Sequence, residues 1–342
     1  MKSNQTSMIE LPDDVHEFIR QVTGASSVFD ASIVQSLWSG YGQIYRVHLV
    51  GSAAESVIVK HVRPPSKSDH PRGWDGDQSH QRKLRSYEVE LHWYRDFAAR
   101  CDGDVRVPHC YGTTSGDGQI MFVLEDLDAA GYPLRRGSLN RSGVTMGLRY
   151  LANFHATFLG VSPTGLWKRG TYWHLETRPD ELAAMGTCDL KRFAADIDSA
   201  LNGCRFQTLV HGDAKVANFC FSADGSAIAA VDFQYVGGGC GMKDVAYFLG
   251  SCQDDSQCER DESLLLDTYF EAFHSRRAKI VGKTDGTIGR ELESEWRSMY
   301  PVAWADFTRF MLGWCPGHSK LTRYSHDVAA RVVEQIRSSR SL

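Results

Sequence analysis

Between residues 209 and 234 the sequence sets Asp213, Lys215, Asn218 and Asp232 in an order that constrains the fold more than any other stretch. It reads Leu209-Val210-His211-Gly212-Asp213-Ala214-Lys215-Val216-Ala217-Asn218, and Asp232 of Val231-Asp232-Phe233-Gln234 follows fourteen residues after Asn218. Apolar residues running into a glycine turn predict a short strand that ends in a polar loop. One carboxylate at such a loop can accept the proton of an incoming hydroxyl. An amide oxygen and a second carboxylate can hold a divalent cation where phosphate charge accumulates. Asp213 is the candidate base, Asn218 and Asp232 are candidate Mg²⁺ ligands, and Lys215 is placed to offset charge on a transferring phosphoryl group. His211 braces the loop. Either half alone would pass for an ordinary strand-turn-strand; both together at this spacing argue against that.

An H-x-D-x-x-x-x-N loop followed by D-F-x is the catalytic half of the protein-kinase signature, so the first third should carry the nucleotide half. Ser39-Gly40-Tyr41-Gly42-Gln43-Ile44-Tyr45 lies between two predicted strands, where Gly40 and Gly42 would let a turn cover ATP phosphates. Alone, this pattern is a common hairpin turn. Val57-Ile58-Val59-Lys60 is a strand ending in a lysine suited to phosphate pairing, although such a lysine is ordinarily a solvated one. The helix around Tyr87 offers Glu90 as its carboxylate partner in preference to Glu88, because Glu90 shares a face with Tyr87, Trp93 and Tyr94. Met121-Phe122-Val123-Leu124-Glu125-Asp126-Leu127 is an apolar strand running into acids, where backbone groups at Glu125 and Leu127 would meet adenine at a hinge.

The remaining texture divides the chain. Pro12 to Gly24 predicts a helix, and Ile33–Trp38, Ile44–Val50, Ser56–Val62, Val105–Tyr111 and Gln119–Leu124 predict strands. Residues 64–82, polar and broken by Pro and Gly, predict a long loop in which Trp74 would act as a lid. After residue 127 helices dominate, apart from a β-rich patch between 208 and 236. The expected class is therefore α+β and bilobal: an ATP-binding lobe over 1–126, with an antiparallel sheet and a helix, and a larger, mostly helical catalytic and substrate lobe over 127–342. A formal charge of -4 excludes a general nucleic-acid binder, which needs excess cations. No apolar run approaches a membrane span, and the polar first ten residues lack a signal-peptide core, so a soluble cytoplasmic protein is expected. Nine cysteines without a C-x-x-C pair suggest no zinc site and a reducing compartment.

With these parts in order, the sequence resembles the aminoglycoside phosphotransferase and choline kinase-like branch of the protein-kinase-like fold, especially its ecdysteroid-kinase-like group. The resembling residues are His211-Gly212-Asp213 with Asn218, Asp232-Phe233-Gln234, and Leu124-Glu125-Asp126-Leu127. Leu151-Ala152-Asn153-Phe154-His155-Ala156 and Asp244-Val245-Ala246-Tyr247-Phe248-Leu249 add to it. The resemblance covers about residues 30 to 280. It implies ATP- and Mg²⁺-dependent phosphorylation of a small-molecule hydroxyl on an amino alcohol, an aminoglycoside-like or a sterol-like acceptor. Lys215 departs from the group's pattern, where Trp is common. No A-P-E follows Gln234, which disfavours a protein substrate.

Acceptor clues are weaker. Asp254, Asp255, Glu259, Asp261 and Glu262 would attract a cation, though a solvated helix start is the plainer reading. Trp296, Tyr300, Trp304, Phe307, Phe310, Met311 and Trp314 recur at helical steps and read first as core. Exposed aromatics there would point to a homodimer. Trp167, Tyr172 and Trp173 are better pocket candidates. The alternative to an enzyme is a nucleotide-binding pseudokinase or scaffold, whose mark is loss of the base, the metal ligands or the phosphate lysine.

Overall fold

The structure is a computed structural model that describes residues 9–65, 77–282 and 286–340. They form two compact units. The first takes in residues up to 99, 107–134 and 220–231; the second takes in 100–106, 135–219 and 232 onwards.

In the first unit, helix α1 (Asp13–Thr23), ended by Gly24, precedes strands β1 (Ser27–Ser36), β2 (Gly42–Val50) and β3 (Ser56–Val62). Helix α2 (Asp77–His92) and strands β4 (Cys110–Gly116) and β5 (Gln119–Glu125) follow. The sheet is antiparallel with order β1-β2-β3-β5-β4. Alternation decides what each face presents. Val57 and Val59 of β3 and Met121 and Val123 of β5 join Val15 and Ile19 of α1 in one buried cluster. Each such side chain contributes roughly 1.5–3 kcal/mol when fully buried. Lys60 and its cross-strand partner Phe122 fall on the opposite parity. Phe122 meets Tyr94, which follows α2, with ring centres 6.0 Å apart.

Three elements differ from expectation. The strand expected over Ile33–Trp38 begins at Ser27 and stops at Ser36, because bulges after Phe29 and Ile33 break its alternation. The strand expected from Val105 starts only at Cys110: Pro108 has no N–H for a ladder, and residues 103–105 form a 3₁₀ turn capped by Asp102. The loop expected over 64–82 is helical from Asp77; Trp74 lies outside the described residues.

The second unit is built on helices α3 (Arg141–Thr157), α4 (Pro179–Ala184), α5 (Asp189–Arg192) and α6 (Ala194–Asn202). Strands β6 (Thr208–Val210) and β9 (Gly237–Gly239) follow in this unit, whereas β7 (Phe219–Phe221) from its second residue and all of β8 (Ile228–Ala230) fall in the segment assigned to the first. Helices α7 (Met242–Cys252), α8 (Asp255–Val281), α9 (Gly286–Trp314) and α10 (Arg323–Arg340) complete the second. α3 packs along α8, and α9 packs on α4, α6, α7 and α10. Trp296, Tyr300, Trp304, Phe307, Phe310 and Met311 are buried and Trp314 is half-buried, so the α9 aromatics are mainly core, and no aromatic of α9 or α10 among the described residues is exposed enough to argue for a homodimer. No helix among the described residues is long and apolar enough to cross a membrane.

Candidate active site

β6 pairs with β9 and delivers the chain to His211. Gly212 then turns with φ 79°, and a Cβ there would collide with the Tyr235 carbonyl oxygen, so only glycine fits between His211 and Asp213. The turn is held from below by Asp244 of α7, which is fully buried. Its Oδ2 accepts from the His211 backbone N–H at 2.5 Å and its Oδ1 from that of Gly212 at 2.9 Å. His155 of α3 lies 3.1 Å from Asp244 Oδ2 through Nε2 and 2.8 Å from the Tyr269 hydroxyl through Nδ1. The L-A-x-x-H-A helix and the Asp244 motif thus meet beneath the loop.

Asp213 emerges buried. Its Oδ2 accepts from Lys215 Nζ and from Asn218 Nδ2, both at 2.9 Å, while its Oδ1 has no hydrogen-bond partner among the described residues. Burial pushes the Asp213 carboxyl up; Lys215 pulls it back, and Asp232 pushes with burial. Burial lowers Lys215, and the Asp213 charge and hydrogen bond outweigh that and raise it. Asp232 stands at φ 69°, a left-handed conformation that costs a non-glycine residue about 1–3 kcal/mol. Such strain is retained where a side chain must point one way. The Nδ2 of Asn218 is committed to Asp213, which leaves its amide oxygen, with the Asp232 carboxylate, as hard oxygen donors of the kind Mg²⁺ takes.

In the first unit, Lys60 donates to Glu90 Oε2 at 2.6 Å, both side chains buried. Glu88 is instead half-exposed and pairs with Arg85. Gly40 lies in the 3₁₀ turn Trp38–Gly40, and Gly42 opens β2 with its carbonyl accepting from Leu37. Gly42 has φ 133°, and a Cβ there would strike the His61 carbonyl oxygen. The Glu125 N–H donates to His109 O at 2.8 Å, and the Leu127 carbonyl accepts from Tyr132 N at 2.7 Å. Asp126 is more engaged than either: it accepts from Arg46 Nε at 2.6 Å and Ser56 Oγ at 2.8 Å.

Of the acceptor candidates, Trp173 is fully buried and donates to Asp306 Oδ2 at 3.0 Å, so it is core and not pocket. Tyr172 and Trp167 are half-buried, and both are tied to the catalytic segment. Tyr172 N donates to Gly212 O at 3.1 Å, and Trp167 Nε1 donates to Gln234 O at 2.8 Å. The acidic run is structural. Asp254 caps α8 in a capping box, Asp255 and Glu262 accept from Tyr324, Glu259 pairs with Arg323, and Asp261 pairs with Arg260. Sequence reasoning missed Lys320, in the turn between α9 and α10, and the Arg46–Asp126 pair. Neither sits in a spacing pattern that could have revealed it.

An antiparallel five-stranded sheet with a buried lysine–glutamate pair, and a helical unit that holds Asp213, Lys215 and Asn218 on one loop with Asp232 after the next hairpin, define a protein-kinase-like fold. The fold is similar to that of a microcompartment-associated aminopropanol kinase, at 16% identity and a TM-score of 0.50 over 90% of this chain and 93% of that one. Fainter likenesses are to a putative fructosamine-3-kinase from Haemophilus somnus 129PT (15% identity, TM-score 0.43, 94% and 96% covered) and a Plasmodium vivax ethanolamine kinase (10%, 0.46, 87% and 80%). No curated protein matches the chain. The ecdysteroid kinase-like family model matches residues 41–162 and 182–281, more than half of the sequence, and the chain belongs to that family of kinase-like phosphotransferases.

Proposed function

We propose that the protein transfers the γ-phosphoryl group of ATP to a hydroxyl of a small molecule. The observation that carries this reading is the Asp213 carboxylate. One oxygen is held by Lys215 and Asn218, and the other is buried with no hydrogen-bond partner among the described residues, where it would accept a hydroxyl proton. Asp213 orients the acceptor and takes its proton as the new O–P bond forms, and Lys215 offsets charge beside it. Asn218 and Asp232 would hold Mg²⁺, which supplies charge stabilisation to phosphate oxygens when bound. Lys60, fixed by Glu90, would pair with ATP phosphates beneath the turn of Gly40 and Gly42, and the β5 end at Glu125 and Leu127 would adjoin adenine. A pseudokinase would have lost the base, the metal ligands or the lysine, and this chain keeps all of them.

The test is ADP release from ATP·Mg²⁺ with a panel of hydroxylated amines, sugars and sterols, followed by mass spectrometry of the acceptor. At least one acceptor should stimulate release and gain a phosphate, and EDTA should abolish both. Tight ATP binding without acceptor-dependent release across the panel would favour the pseudokinase.

A further inference from the structure

Beneath the catalytic loop, side chains from three helices form one hydrogen-bonded line. Tyr269 of α8, His155 of α3 and Asp244 of α7 are each fully buried. The Trp296 ring, also fully buried, meets the His155 imidazole at 88° with centres 6.2 Å apart. A Cβ on Gly241 would press on that indole and on His155 Nδ1, so the imidazole is tightly enclosed. The His155 carbonyl also accepts from Thr208 Oγ1 at 2.7 Å, which ties α3 to the start of β6.

Within this enclosure the hydrogens can be placed by elimination. The Tyr269 hydroxyl has His155 Nδ1, at 2.8 Å, as its one hydrogen-bond partner among the described residues. Burial, with Cys240 and Asp244 adding to it, raises the Tyr269 pKa well above that of a free phenol, so the hydroxyl keeps its proton and needs an acceptor. Nδ1 can accept only when it carries no proton, which puts the ring proton on Nε2. Nε2 faces Asp244 Oδ2 at 3.1 Å, the oxygen that also accepts from the His211 N–H. The reverse tautomer would set the Nε2 lone pair against that carboxylate oxygen. Both it and a doubly protonated ring would strand the Tyr269 proton in a fully buried place, where an unpaired donor is costly.

We infer that Tyr269 is a positioning residue. By donating to Nδ1 it fixes His155 as the Nε2–H tautomer, and that tautomer holds Asp244 under the His211-Gly212 turn that carries Asp213. Tyr269 stands outside every motif read from the sequence. The inference rests on the phosphotransfer reading where it predicts a change in turnover, and the placement of the ring proton is independent of it.

Tyr269→Phe removes one hydroxyl and keeps the ring among Phe270, Phe273 and Trp296. Histidine-selective ¹⁵N labelling reads both ends of the line, the His155 ring nitrogens and the His211 amide, with the His155 signals assigned by their loss in His155→Gln. The unsubstituted protein should show a protonated Nε2 and a bare Nδ1. In Tyr269→Phe the ring should become a mixture of tautomers, the His211 amide should exchange faster with solvent, and kcat should fall about three- to tenfold with KM for ATP within about twofold. Phe273→Leu loosens the same packing without touching a hydrogen bond of the line. It should lower the unfolding midpoint and leave the His155 signals and kcat as they were. A protonated Nδ1 in the unsubstituted protein would overturn the inference. So would ring signals, a His211 amide or a kcat indifferent to Tyr269→Phe, or the same changes in Phe273→Leu. The ring and amide changes without ADP release by the unsubstituted protein on any acceptor would instead sink the phosphotransfer reading alone.

Discussion

Lys60 and Asp213 are both buried charges, and each depends on partners that an apolar environment makes costly to remove. Glu90→Ala would leave the Lys60 ammonium without its carboxylate inside the first unit, a change that typically costs about 3–5 kcal/mol. Urea unfolding should show this as a clear fall in midpoint, and an unchanged midpoint would mean that the pair is hydrated or dispensable. Asp244 supports the catalytic loop through two backbone N–H groups. Asp244→Ala should therefore lower stability by about 1–3 kcal/mol per stranded donor and also depress kcat, since Asp213 rides on that turn. A variant with a lower midpoint but full kcat would show that the loop holds its shape unaided. At this scale the turn between His211 and Asp213 was readable in its glycine, which the positive φ and the close Tyr235 carbonyl force. Lys320 was not, because its place over the Tyr247 and Phe307 rings comes from the packing of α9 and its following turn on α7.

Among the elements, β3 was legible over its whole length, Ser56–Val62, since buried β-branched residues there leave no other reading. α2 was not, because its first turns are exposed and polar, and a polar helix start has the composition of a loop. The end of β5 carries an acid-sensitive device. Burial pushes the Asp126 carboxyl up, but the Arg46 and Ser56 hydrogen bonds outweigh it and leave it below its ordinary value. A carboxyl depressed on folding stabilises fully above its unfolded pKa and loses that contribution as pH falls through the folded one. Stability should thus drop below about pH 4, and Arg46→Met should flatten that limb. Identical acid profiles for the two proteins would contradict the assignment. In α9, a Cβ on Gly313 would run into the Glu181 backbone carbonyl of α4. Backbone cannot step aside as a side chain can, so Gly313→Ala should destabilise by about 1–3 kcal/mol in thermal unfolding, and a neutral result would mean that α4 shifts freely.

For the whole molecule, the order of parts along the chain carried more information than any single motif. A glycine turn, a strand lysine, a helix glutamate, an H-G-D loop and a D-F-x turn each have bland readings alone. Their sequence implied the α+β kinase-like class that the sheet and helices display. The acceptor was the illegible part, because its candidates are scattered over residues 167–178, 235–247 and 307–320 and meet only through tertiary packing. The acidic run and the α9 aromatics, the visible clues, turned out to cap a helix and fill a core. The account stands on Asp213 as the base. Asp213→Asn keeps the size of the side chain and removes the carboxylate charge that would take the proton and that pairs with Lys215, so the direct measurement is acceptor phosphorylation by this variant beside its ATP·Mg²⁺ affinity. The account predicts unchanged nucleotide binding with turnover lower by about 10²–10⁴-fold; turnover close to that of the unsubstituted protein would contradict it.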